Sequence, residues 1–106
     1  MIISYEIFCK LYAEAKEQEN LEMYQFERGQ EDWMEGATGD EIMAFLKTVH
    51  KIARGGFPEL LEQYKNMRVM SEHLGIPYST LQKWKQGISS PAEHLLKLME
   101  YATVNK

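Results

Sequence analysis

The stretch Met70–Pro91, MSEHLGIPYSTLQKWKQGISSP, decides how this chain folds. It reads as two short helices joined by a tight turn at Leu74-Gly75-Ile76. In the first, from about Met67 to Leu74, Met70 and Leu74 face inward, and Ser71 lies between them where a close helix crossing favours a small side chain. Gly75 gives the backbone a turn that a residue with a Cβ takes less easily. Ile76 plugs the core, and Pro77 suits the start of the next helix, where no amide donor is needed. Leu81 and Trp84, three residues apart, anchor the second helix, and Gly87 stops it. Tyr78, Ser79, Thr80, Gln82 and Lys83 then point wholly or partly outward, while Lys85 and Gln86 lie near the helix end. Folding needs none of these seven side chains.

The flanking segments also read as helix. After the motif, Ser90-Pro91-Ala92-Glu93 predicts a helix start with Ser90 as N-cap and Pro91 at the first helical position. Leu95, Leu98, Met99 and Ala102 form its expected buried stripe. Before the motif, Pro58 opens a short helix anchored by Leu60, Leu61 and Tyr64. Residues 38–54 carry the clearest pattern: Thr38 and Glu41 have capping-box spacing, and Ile42, Phe45, Leu46, Val49, Ile52 and Ala53 make a continuous stripe. Lys51 and Arg54 suit its last turn, and Gly55-Gly56 ends it. Ser4 to about Lys16 reads as a first helix, N-capped by Ser4, with Tyr5, Phe8, Tyr12 and Ala15 on one face. Residues 17–36 predict short helical pieces broken at Gly29 and Gly36. Nothing shows the alternation and turn punctuation of hairpins. The expected architecture is all-α: a small helical bundle with an acidic helical region over residues 1–56 and the two-helix motif within residues 57–106.

Charge divides along nearly the same line. Residues 1–63 hold 6 Lys+Arg against 13 Asp+Glu, a net of −7, while residues 64–106 hold 6 against 3, a net of +3. The second half should attract phosphate and the first repel it, so the overall net charge of −4 is a poor guide to binding. At 44% hydrophobic residues the chain can bury a core. Its apolar runs are far shorter than the roughly 20 residues a membrane span needs, and the N-terminus lacks the pattern of a signal peptide. Cys9, the one cysteine, cannot form an internal disulfide, so a reducing, cytoplasmic setting is the expectation.

From Met70 to Leu98 the chain resembles the helix-turn-helix of the Cro/C1 repressor type, the xenobiotic-response-element (XRE) family. Met70, Ser71, Leu74, Gly75, Ile76, Leu81, Trp84, Gly87, Pro91, Leu95 and Leu98 fall on the family pattern, and the likeness extends over about residues 57–103. The resemblance implies a DNA-binding transcriptional regulator that places the helix at about 78–86 in the major groove of double-stranded DNA. Tyr78, Ser79, Thr80, Gln82 and Lys83 would take the base- and backbone-contacting positions. Lys85 and Gln86 would grip the backbone, and a homodimer would read a palindrome. There are departures: Lys85 stands where an acidic residue is common, Met67 where a phosphate-contacting Gln is common, and Pro77 where Ser is common. The segment from Gly87 to Pro91 lacks the usual basic residues. The acidic half has no counterpart in the generic family.

The alternative is a binding module with a protein target: an antitoxin, a phage-type inhibitor or an acidic DNA mimic. Glu14, Glu17, Glu19, Glu22, Glu27, Glu31, Asp32 and Glu35 would then present a phosphate-like field to a basic partner. Enzymatic function is not expected. Glu31, Asp32 and Glu35 read as a solvated acidic turn rather than an acid–base pair. His50 reads as a solvated or capping histidine, and His73 and His94 as surface or boundary residues. No metal or cofactor is expected, since one thiol and three scattered histidines build no metal site and there is no Gly-rich phosphate loop. The methionines read as core filler. Tyr5, Phe8 and Tyr12 read as core or as a dimer seam.

Overall fold

The structure, a computed structural model, describes residues 1–26 and 28–105. Glu27 of the acidic set and Lys106 at the end of the second half lie outside the described residues. The described residues form an all-α bundle, with no strand and no helix long and apolar enough to cross a membrane. Seven α-helices follow in order: α1 (Tyr5–Glu17), α2 (Leu21–Phe26), α3 (Gly39–Gly55), α4 (Phe57–Glu62), α5 (Met67–Leu74), α6 (Tyr78–Gln86) and α7 (Glu93–Val104). A short 3-10 turn at Asp32–Met34 lies between α2 and α3.

Local chemistry sets the helix ends. Ser4 caps α1 by accepting from the Ile7 amide at 3.2 Å. Thr38 and Glu41 form the expected reciprocal capping box, with Thr38 Oγ1 accepting from Glu41 N at 3.1 Å and Glu41 Oε1 from Thr38 N at 3.0 Å. At the other end of α3, Arg54 reaches across to α1. Its guanidinium donates to the carbonyls of Ala15 at 3.2 Å and Lys16 at 3.0 Å, which α1 itself leaves without partners. His50 does similar work. It is buried, not solvated, and its Nε2 meets the carbonyl of Gln18, the residue that ends α1, at 2.8 Å. Arg54 and His50 therefore dock α3 onto the C-terminus of α1.

The interior divides into two clusters. One is built from Ile3, Phe8, Leu11 and Ala15 around α1, Tyr24 of α2, and Ile42, Leu46 and Val49 of α3. The other joins Phe57, Leu60 and Tyr64 to Met70 of α5, Leu81 of α6 and Met99 of α7. Each fully buried Leu or Phe contributes about 1.5–3 kcal/mol of apolar transfer. Helix α7 belongs to both: Leu95, Leu96 and Met99 enter the second cluster, while Tyr101 and Val104 pack on the first. Two hydrogen bonds tie the N-terminal residues to α7, from Ile3 N to Asn105 Oδ1 at 2.7 Å and from the Tyr101 hydroxyl to Ile3 O at 2.9 Å.

This shared role of α7 explains where expectation and structure part. Leu98 packs in neither cluster and is 46% exposed, whereas Glu100 and Thr103 are buried. Tyr5 is 37% exposed and sets its ring edge-on to Tyr101 at 5.2 Å, while Leu11 takes the fully buried place on α1. Ser90 does not cap α7. The backbone after α6 wraps back, with Ile88 N bonding Lys83 O at 3.0 Å, in the six-to-one pattern of a helix C-terminus. Ser90 and Pro91 are consumed in the crossing, and α7 begins at Glu93 with Ala92 as N-cap and no side-chain cap.

Candidate nucleic-acid interface

Asn66 starts α5 by accepting from the Val69 amide at 2.9 Å. The helix ends at Gly75, which takes the left-handed conformation at φ 69° and ψ 23°. Ser71, on the last turn of α5, donates its hydroxyl to the Ile76 carbonyl and closes the turn. Pro77 is the N-cap of α6, so the missing amide costs nothing there. Two anchors then fix the rotation of α6 about its axis. Leu81 is fully buried, and Trp84 is half-buried with its ring edge-on to Phe57 at 5.8 Å.

Those anchors leave Tyr78, Ser79, Gln82, Lys83, Lys85 and Gln86 exposed and Thr80 half-buried. At 100° per residue, Ser79, Gln82 and Gln86 occupy the middle of the outward face. Lys83 stands on one flank, and Tyr78 and Lys85 on the other. Six of the seven residues singled out from the sequence thus share one exposed surface, with neutral polar groups central and cations at the margins, while Thr80 turns partly inward.

The sequence reading missed what lies beside that surface. Tyr78 and Lys85 line a groove of about 350 Å³ together with Lys65, Asn66 and Met67 from the segment leading into α5. Arg68 is exposed on α5 itself. The proximity of Lys65 and Arg68 to the start of α5 was the available signal; nothing in local spacing placed Lys65 opposite Tyr78. Glu62 also lines the groove and is paired with Lys51 at 3.8 Å. Among the described residues, no carboxylate forms an ion pair with Lys65, Arg68, Lys83 or Lys85. These four cations are free for an external anion.

A chain of hydroxyls holds α5 in place behind this surface. Thr103 donates to the Met99 carbonyl at 2.7 Å and lies 2.7 Å from the Tyr64 hydroxyl, which lies 2.9 Å from His73 Nδ1. The Tyr64 hydroxyl thus bridges α7 and α5, with one hydroxyl and one ring nitrogen as its neighbours. His73 and His94 are both exposed.

At the opposite half the acidic residues are partly neutralised. The side chain of Arg28 is 5% exposed, pairs with Glu14 and Glu31 at 3.0 Å each, and stacks over the Tyr24 ring at 4.6 Å. Lys10 also reaches Glu31 at 3.5 Å. The expected solvated turn is therefore half right: Asp32 and Glu35 are exposed, but Glu31 is held in a network. No group of three or more His, Cys, Asp or Glu among the described residues is arranged to hold a metal. The chain matches no protein-family model, no curated protein and no solved structure.

Proposed function

We propose that this protein is a sequence-specific, double-stranded DNA-binding regulator of the Cro/C1 (XRE) helix-turn-helix type, acting in the cytoplasm. Helix α6 enters the major groove. Ser79, Gln82 and Gln86 meet base edges, while Lys83, Lys85 and Tyr78 hold phosphates on either side. The observation that carries this reading is the outward face of α6: six exposed polar or basic side chains, fixed in rotation by Leu81 and Trp84, with no structural task. One helix reads only a few base pairs, so a homodimer on a palindromic site supplies the remaining specificity. The test is fluorescence polarisation on duplexes enriched from a random library. Affinity should fall steeply with salt and fall again in the Gln82→Ala, Lys83→Ala double variant. Indifference to both changes would reject the reading.

A second reading, a module that binds a protein through its acidic half, is favoured by one feature. Met23, 45% exposed on α2, lines a groove of about 440 Å³ with Glu14, Glu17 and Arg28, and Phe26, three residues on, is 71% exposed. Apolar side chains rimmed by carboxylates suit a basic, amphipathic partner segment. Selection that enriches no duplex, with binding of a lysine- and leucine-rich helical peptide abolished by Phe26→Ser, would favour it over the first.

A further inference from the structure

Glu100 is fully buried in the middle of α7, the helix shared by both clusters. Neither of its carboxylate oxygens has a hydrogen-bond partner. A buried carboxylate without partners is costly when charged and tolerable when protonated. Helix α7 packs on α3 and α4 as well as α1, but the ionisable groups acting on Glu100 come only from α1 and from α7 itself. The Tyr12 hydroxyl and Lys16 ammonium belong to α1, and the Lys97 ammonium to α7. The Tyr12 hydroxyl acts on the carboxyl as a donor, yet no hydrogen bond of full geometry closes on either oxygen, and neither lysine forms an ion pair with it. Both ammonium groups instead lie over the Tyr12 ring, at 5.0 and 5.1 Å. The seam is therefore closed over a carboxyl that no cation directly pairs, while two ammonium groups sit on the neighbouring Tyr12 ring.

We propose that Glu100 is a proton-operated latch between α1 and α7, holding the acidic half against α7 when neutral and loosening that seam when its proton leaves to solvent. Burial pushes the Glu100 carboxyl up to about 7, against the smaller opposing pulls of Tyr12, Lys16 and Lys97. The folded state thus keeps the proton over a range where the unfolded chain has already lost it. The latch's contribution is full below the ordinary carboxylate range and is lost as pH rises through about 7. Because Met99 and Leu96 on the same helix pack in the cluster that seats Leu81 and Trp84, loosening reaches the elements behind α6. The device does not depend on what α6 binds.

Carbon-13 NMR of glutamate side-chain carboxyls in the intact protein tests this directly. One carboxyl should titrate near neutrality, and its signal should be absent from Glu100→Gln. Thermal melts from pH 5 to 8 should fall by roughly 5–10 °C more for the wild type than for Glu100→Gln. Amide exchange in α1 and α7 should accelerate with pH beyond its intrinsic rise only when Glu100 is present. If Glu100→Gln does not fold, Glu100→Met provides the charge-free reference, and the wild-type titration stands without any variant. A Glu100 carboxyl that titrates with the surface glutamates, or a pH profile unchanged by its removal, would overturn the proposal.

Discussion

The Ser71 hydroxyl donates to the carbonyl of Ile76, bridging the turn between α5 and α6. With Gly75 at φ 69°, this bond fixes how α6 leaves α5. A Cβ placed on Gly75 meets nothing within 4 Å, so Gly75→Ala should carry only the backbone cost of the left-handed conformation, about 1 kcal/mol. Ser71→Ala should lose about 1 kcal/mol through the unmet carbonyl. Urea denaturation followed by circular dichroism measures both. A Ser71→Ala loss below a few tenths of a kcal/mol would show that the turn does not rely on the hydroxyl.

Tyr64 connects α7 to α5 through Thr103 and His73. Tyr64→Phe keeps the buried ring and removes the link, leaving His73 Nδ1 to find water. The expected cost is about 1–2 kcal/mol, with faster amide exchange at the end of α5. Nitrogen-15 spectra add an independent check: the His73 Nδ1 signal should shift between the wild type and Tyr64→Phe.

Arg28 is the hub of the acidic half. Burial alone raises the Glu31 carboxyl, but the hydrogen bond and charge of Arg28, with help from Lys10, outweigh it and hold Glu31 below its ordinary range. This contribution is present above the unfolded carboxylate range and is lost as pH falls through the lowered folded value. Arg28→Met should therefore destabilise by about 2 kcal/mol at neutral pH, less than a fully buried pair because Glu14 is partly exposed. It should also flatten the loss of stability below about pH 4.5. Melting curves from pH 3 to 7 compare the two proteins. Parallel curves would show that the network is not what stabilises this half.

The parts legible in the sequence are those with local causes. Thr38 and Glu41 are three residues apart, so their capping box is written in the spacing, and Leu81 and Trp84 reveal the outward face of α6 in the same way. The parts hidden from it depend on pairs far apart in the chain. His50 looks solvent-facing on α3 until the C-terminus of α1 arrives 32 residues away in sequence to accept its bond. Leu98 is misassigned and Glu100 passed over by a single-stripe reading because α7 packs on two clusters at once, so its buried arc is wider than one core would require. Likewise, the groove that sets Lys65 opposite Tyr78 and Lys85 exists only after α4, α5 and α6 have packed.

That groove separates two kinds of residue on the candidate DNA face, and salt dependence distinguishes them. Lys65 and Lys85 frame the groove at the flank of α6, where the backbone of a duplex seated on Ser79, Gln82 and Gln86 would pass. A cation on a phosphate releases a counterion, so Lys65→Ala and Lys85→Ala should each lower the slope of log affinity against log salt by about one and weaken all sequences alike. Gln82, central and uncharged, should leave that slope unchanged. Gln82→Ala should cost about 1–3 kcal/mol on the selected site and nearly nothing on random duplex, relaxing the preference at one position. Polarisation titrations at three or more salt concentrations, on selected and random duplexes, measure both quantities. If Gln82→Ala shifts the salt slope while Lys65→Ala alters base preference, the duplex lies across a different face of α6 from the one that Leu81 and Trp84 define.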